Sequence, residues 1–140
     1  MTMTNAAVFP QGPDTEIATL TTPTAITSRA NITGTTGLVQ LTALPVTNPK
    51  RCDAIVIKSK GTSLAGILSV WMYNGTTSFL YDEIDLSAVT PSTTLASMKV
   101  TRNYLSTETQ GSIQLGLLDQ LFVSTTVQQD LNVFATTGQY

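Results

Sequence analysis

The chain has 140 residues, a length that fits one domain with its own hydrophobic core. Charged residues make up 11% and the net charge is -2, so the chain lacks the basic surface that nucleic acids require. There is no histidine and only one cysteine, Cys52, which excludes an intrachain disulfide, a Ser-His-Asp triad and the commonest zinc ligand.

The same composition predicts the compartment in which the protein folds and the kinds of partner and activity that it lacks. No apolar run approaches the roughly 20 residues that cross a bilayer, and the opening MTMTNAAVFP lacks the basic and apolar regions of a signal peptide. We therefore expect a soluble protein made in the cytoplasm, with no membrane, nucleic-acid or cofactor partner and no bound metal. With neither a phosphate-binding loop nor an activated nucleophile in the sequence, we do not expect an enzyme.

Residues 1–16 predict an extended N-terminal arm, and residues 17–140 a single domain. The arm carries prolines at 10 and 13 and shows no hydrophobic alternation, so a packed strand is not expected there. Val8 and Phe9 are candidate apolar anchors in the arm, and Pro10 follows them. We expect these three residues to bind a neighbouring subunit.

Nine segments with a period of two or a high content of β-branched residues follow in chain order. They are EIATLTT (16–22), GLVQLTAL (37–44), CDAIVIKSK (52–60), GILSVWMY (66–73), TSFLYDEIDL (77–86), ASMKVTRNYL (96–105), SIQLGLL (112–118), QLFVSTTV (120–127) and LNVFATT (131–137). No segment shows a sustained helical period. The pattern predicts an all-β fold, an antiparallel, jelly-roll-like β-sandwich of about eight to nine strands.

The fourth and fifth of these segments flank Asn74-Gly75, a pair suited to a hairpin turn. Before the turn, Trp71 and Tyr73 alternate with apolar residues. This alternation favours a place in the core or in an interface, and we count both residues among the candidate partner-binding residues. The alternative is an exposed aromatic platform that stacks on sugars or bases and consists of Trp71, Tyr73, Phe79 and Tyr81.

Three carboxylates follow on the second strand of this hairpin. The strand period places Glu83 and Asp85 on one face, roughly 7 Å apart, and Asp82 on the other face with Leu80 and Ile84. Such a pair superficially suits acid and base catalysis or a cation site, but nothing in the sequence requires a raised pKa or a cleft. A solvated strand face is the favoured interpretation, and Asp82 is expected to have a buried partner or to lie at a bulge.

The order of motifs from residue 54 to the C-terminus resembles a group of small β-sandwich proteins encoded among tailed-phage and prophage head genes. The resemblance rests on VWMYNGTTSFLYDEIDL (70–86), AVTPSTT (88–94), LFVSTTV (121–127) and LNVFATTGQY (131–140). In the group, a strand that reads like LYDGTTYYLLDEI precedes AVTPS, and VSTTVAQAFNVVAFGGDY comes later.

The resemblance implies a virion structural protein, a decoration or cement protein bound to the outside of a phage head. Its partner would be the major capsid protein, and the natural form would be a homotrimer, since such sites often lie on local threefold axes. Other virion positions remain open, namely a head-to-tail adaptor, the tail or the baseplate. The alternative outside the virion is a carbohydrate-binding or receptor-binding module.

Overall fold

The structure, a computed structural model, describes residues 11–105 and 111–139. These ranges contain ten strands and no helix. The strands are β1 (Gln11–Leu20), β2 (Ile32–Thr33), β3 (Val39–Gln40), β4 (Lys50–Ser59), β5 (Gly66–Tyr73), β6 (Thr77–Leu86), β7 (Lys99–Asn103), β8 (Ile113–Leu115), β9 (Gln120–Thr125) and β10 (Leu131–Gln139).

The strands form two antiparallel sheets. In sheet A the order is β1-β10-β4, and both β7 and β8 pair with the far edge of β4. In sheet B the order is β2-β6-β5-β9-β3. The predicted all-β sandwich is confirmed, with one strand more than expected because the two-residue β2 has no alternating pattern of its own.

The core lies between the two sheets and follows the period-two pattern of the sequence. Ile55 and Ile57 of β4 and Leu68 and Val70 of β5 are fully buried, and the residues between the two isoleucines and beyond them face outward. Full burial of one such side chain contributes about 1.5–3 kcal/mol. The strands β4 and β5 therefore hold the centres of the two sheets together.

Residues 11–16 belong to β1, so the predicted boundary of the arm at residue 16 is wrong for this part. Strand β1 pairs with β10 along its length, and the register shifts between Gln11 and Asp14. Pro13 lies in that irregular stretch of an edge strand, where a missing backbone donor is tolerated. Val8, Phe9 and Pro10 lie outside the described residues.

The segment of residues 21–41 lies along sheet B and joins its two edges. Its β2 pairs with β6 at one edge and its β3 pairs with β9 at the other. Before β2, Ile26 N donates to Thr125 O (2.9 Å). Directly after β2, Gly34 N donates to Thr76 O (2.7 Å), and the Ser78 hydroxyl donates to Gly34 O (2.6 Å). Sheet B is therefore curled into a half-barrel. Of the predicted strand 37–44, residues 39–40 form β3, which pairs with β9 at the edge of this half-barrel.

The hairpin of β5 and β6 has the bounds that the sequence predicts. Gly75 has a φ of 96°, which fits the first central position of a type II′ turn. The Asn74 side chain accepts hydrogen bonds from Thr76 N (3.0 Å) and Thr77 N (2.9 Å). Asn74 thus stabilises the turn with its side chain, and Gly75 supplies the positive φ.

Candidate functional site

The carboxylates of β6 lie next to a β-bulge. Val70 pairs with Asp82 but Trp71 pairs with Leu80, so Tyr81 is an extra residue on β6. The bulge places Asp82 on the core side and Leu80 on the opposite side. The prediction that these two residues share a face is therefore wrong, whereas the expected bulge at Asp82 is confirmed.

Asp82 has the expected partners. Its Oδ2 accepts a hydrogen bond from the Tyr104 hydroxyl (2.8 Å) and lies 3.2 Å from Arg102 Nε. Burial raises the pKa of Tyr104, and the hydrogen bond to Asp82 raises it further. Tyr104 is thus a neutral donor at physiological pH. The contacts of Asp82 with Tyr104 and Arg102 join the end of β7 to β6, and they are structural contacts.

Glu83 binds Arg29 of the segment that lies along sheet B. Arg29 Nε and Nη2 each lie 2.9 Å from a different carboxylate oxygen of Glu83. The hydrogen bonds from Arg29 lower the pKa of Glu83, which is the opposite of what a general acid at neutral pH requires. Asp85 is exposed on the same strand. Glu83 is therefore tethered to Arg29, a contact that the sequence does not predict, and Asp85 is solvated as the favoured interpretation expects.

Cys52 is buried in the core with its Sγ 3.6 Å from Ala54 O. Burial raises the pKa of the Cys52 thiol from its ordinary value of 9.0 to about 12. A thiol with so small a thiolate fraction is a poor nucleophile at neutral pH.

We expect Cys52 in the folded protein to react with a disulfide reagent at pH 8 about a thousandfold more slowly than in the denatured chain, because three pKa units separate the two states. The measurement is the release of the coloured thiol from Ellman's reagent with and without guanidinium. Because the folded-state pKa is the higher one, the stability that this thiol contributes is complete below about pH 9 and is lost as the pH rises toward 12. Fast reaction of the folded protein would contradict the buried placement.

Trp71 and Tyr73 of the hairpin do not form an exposed platform, whereas Phe79 and Tyr81 on β6 are 40% and 42% exposed. Trp71 has no exposed surface, and its Nε1 donates to the Ser124 hydroxyl (2.9 Å). Tyr73 packs edge-on against Phe122, with ring centroids 5.6 Å apart. Of the two candidate partner-binding residues on this strand, Trp71 is an interior residue, and its contact with a partner would need the half-barrel to open. Tyr73 is half-buried.

At one end of the sandwich, two connections between the sheets lie side by side. The connection 43–49 begins next to β9, where Leu121 N donates to the Thr42 hydroxyl (2.9 Å), and ends at the residue of β4 that pairs with the end of β8. The connection 116–119 leads from the end of β8 to the start of β9. Both connections therefore span the same gap in opposite directions.

Four apolar side chains on these connections are open to solvent. Their exposed fractions are 46% for Leu44, 86% for Val46, 50% for Leu117 and 69% for Leu118. We call these four residues the apolar loop end. The connection 43–49 contains no charged residue.

Charged groups also lie beside the apolar loop end, because Lys50 Nζ donates to Ala43 O (3.0 Å) and Glu16 Oε1 accepts a hydrogen bond from Ala43 N (2.9 Å). In the connection 116–119 the one charged residue is Asp119, whose Oδ2 accepts a hydrogen bond from Gly116 N (2.9 Å). The hairpin tip lies at the same end, because Tyr73 pairs with the first residue of β9. Strand β1 also starts there, because Gln11 pairs with Gln139, which pairs with the start of β4.

The apolar loop end was not predicted from the sequence. Leu44 falls within the predicted strand 37–44, and Leu117 and Leu118 fall within the predicted strand 112–118, so all three were placed in sheets. The overlooked signal is that Pro45 directly follows Leu44 and that Gly116 directly precedes Leu117, since proline and glycine mark turns.

Comparisons with protein-family models, with curated proteins and with solved structures found no match to this chain. In the part of the chain that the structure describes, no helix is long and apolar enough to cross a membrane. Within the same ranges, no three side chains among Cys, Asp and Glu come together as a metal site would require. The fold and the surface therefore carry the functional argument.

Proposed function

We propose that the protein is a non-enzymatic structural protein of a phage virion, a decoration protein that binds the outside of the head and bridges major capsid protein subunits. In this proposal the homotrimer is the working form and the virion surface is its location. The mechanism is adhesive, because many identical copies each bury a modest contact area and together resist expansion of the head.

The observation that carries the proposal is the apolar loop end. Exposed apolar side chains on two adjacent connections are typical of a surface that is covered in an assembly. Residues 1–10, which include Val8, Phe9 and Pro10, carry no charged side chain and lie outside the described residues. We count Val8, Phe9 and Pro10 as further candidate contact residues.

Two further observations agree with the proposal. The carboxylates of the hairpin are used in contacts within the chain or are solvated, so they do not form a catalytic pair. The resemblance of residues 54–140 to head-gene proteins points to the same class. An adaptor, tail or baseplate position would use the same kind of surface and is separated by the location of the protein in the particle.

We expect the double variant Val46→Asp with Leu118→Asp to bind heads with an affinity lower by about tenfold or more. The reason is that each new carboxylate would lose its hydration in an apolar contact. The measurement is co-sedimentation with heads assembled without this protein. The matched control is Leu105→Asp, at a leucine with 62% exposure outside the loop end. Both variants should melt close to the wild type, since surface substitutions usually change stability by less than about 0.5 kcal/mol.

Three outcomes of this experiment are informative. Loss of binding in the double variant alone supports the loop end as a contact surface. Equal binding of all three proteins removes the loop end from the mechanism. Failure of the wild type to sediment with heads contradicts the decoration function itself.

A further inference from the structure

The outer face of sheet A is a second surface that the fold leaves open. Strand register arranges its outward side chains in three rows across β1, β10, β4 and β7. The rows are Thr15, Thr136, Ala54 and Asn103; Ile17, Phe134, Val56 and Thr101; and Thr19, Asn132, Lys58 and Lys99. The middle row is an apolar strip that crosses three strands, and its Ile17 is 58% exposed. The last row ends in two lysines.

These two lysines, Lys58 and Lys99, and the nearby Lys60, which directly follows β4, differ from the other basic residues of the chain. Of seven basic residues, the four outside this region each form an ion pair with a carboxylate. Lys58, Lys60 and Lys99 form no ion pair with any carboxylate that the structure describes. Lys58 Nζ donates to Ser97 O (3.1 Å) and Lys60 Nζ to the Thr21 hydroxyl (3.4 Å), both neutral acceptors.

The arrangement also carries an electrostatic cost within the chain. Lys58 and Lys99 are directly opposite each other on paired antiparallel strands, and like charges in that position repel. The nearest acidic residue in sequence to this end of β10 is Asp130, whose Oδ1 accepts a hydrogen bond from Thr22 N (2.8 Å). The region therefore keeps a net positive charge on a chain whose net charge is -2.

The size of the face indicates how it is used. Four strands about 4.8 Å apart and three rows about 7 Å apart define a face of about 400 Å². A stable two-protein interface needs about 800 Å² on each partner, so this face alone does not support a stable complex and would act together with a second contact surface. A second copy would also present lysines and no carboxylate on the same face. Nucleic acid is disfavoured because three cations beside an apolar strip make a small footprint.

We propose that the outer face of sheet A binds a protein surface that presents carboxylates beside an apolar strip. This inference rests on the proposed function, because a protein that bridges two subunits needs two contact surfaces. The apolar loop end is the first of these surfaces. The lysine row and the apolar strip beside it are the second, and the carboxylates belong to the neighbouring subunit of the head.

The test uses Lys99→Glu, with Lys99→Arg as the matched control. The glutamate would face Lys58 and replace a like-charge pair by an opposite-charge pair, so the isolated protein should melt about 1–4 °C higher. Binding to heads that lack the protein should weaken about tenfold or more. The arginine variant keeps the charge and should melt and bind like the wild type. A gain in stability together with a loss of binding is not the result of damage to the fold.

A second measurement does not depend on heads. Amide chemical shifts are followed while a short peptide of glutamates and leucines is added, and again with glutamines in place of the glutamates. The acidic peptide should shift amides at Val56, Lys58, Lys99 and Thr101, and the glutamine peptide should not. Lys99→Glu should abolish the shifts.

The two measurements separate the two proposals. If the wild type does not bind heads but the acidic peptide shifts these amides, the decoration function fails and the binding face stands. If heads bind the wild type and Lys99→Glu equally, or the acidic peptide shifts no amide of this face, the inference is overturned. A lower melting temperature for Lys99→Glu would also overturn it, because the lysine pair would then not be repulsive.

Discussion

Replacing Glu16 by alanine is expected to destabilise the protein by about 3–5 kcal/mol, because it leaves the buried Lys50 ammonium without its counter-charge. Lys50 Nζ lies 3.1 Å from Glu16 Oε1, and the two side chains are only 9% and 13% exposed. The same carboxylate oxygen accepts a hydrogen bond from Ala43 N (2.9 Å), and Lys50 Nζ donates to Ala43 O (3.0 Å). One substitution therefore disturbs β1, β4 and the connection between β3 and β4.

Urea denaturation followed by circular dichroism measures this effect. Arg29→Ala is the control at an exposed ion pair, and it should move the transition much less because solvent screens that pair. The double variant Glu16→Met with Lys50→Met should recover much of the loss, since it removes both buried charges and keeps the volume. If the free energy of unfolding of Glu16→Ala is within about 1 kcal/mol of the wild-type value, the ion pair is open to water. The contacts of Glu16 with Lys50 and Ala43 would then not hold β1 in place.

Replacing Trp71 by alanine is expected to cost about 3–5 kcal/mol, as is usual when a large buried aromatic side chain is removed. Trp71 lies on the side of sheet B that faces away from the main core, yet it has no exposed surface. Its burial therefore depends on the segment of residues 21–41, which lies along this sheet. Loss of the indole would leave a cavity there and would remove the hydrogen bond to the Ser124 hydroxyl.

The measurement is again urea denaturation, followed by circular dichroism because the chain has a single tryptophan. Trp71→Phe is the matched control, because it keeps an aromatic ring and loses the donor to Ser124, so its cost should be clearly smaller. In the wild type, tryptophan fluorescence should show a buried indole that moves to longer wavelength on unfolding. A cost below about 1 kcal/mol for Trp71→Ala would show that residues 21–41 do not cover this face.

The strands that the sequence predicts well are long ones, in which apolar residues alternate or follow one another over eight residues or more. Residues 66–73 and 77–86 match β5 and β6 in both bounds, and β4 and β10 differ from prediction by two residues or fewer at each end. In these strands the hydrophobic pattern and the backbone hydrogen bonds specify the same structure. The turn residues Asn74 and Gly75 add a local signal for the hairpin.

The elements that the sequence does not predict depend on contacts between distant residues. Residues 23–36 show no useful alternation in the sequence, and backbone hydrogen bonds to Thr125 and Thr76 hold this segment in place. Glu16 and Lys50 are 34 positions apart, so no local pattern pairs them. The lysine row forms because Lys58 and Lys99 lie on paired strands, and the apolar loop end forms because two connections cross the same gap.

The most direct test of the proposed function is an electron cryo-microscopy reconstruction of the phage particle in which the proposal places this chain. The account predicts density for the two-sheet sandwich on the outside of the head, as trimers at local threefold positions. It also predicts that the apolar loop end and the outer face of sheet A contact different neighbouring molecules. Density for the sandwich in the neck, tail or baseplate, or its absence from the particle, would contradict the account.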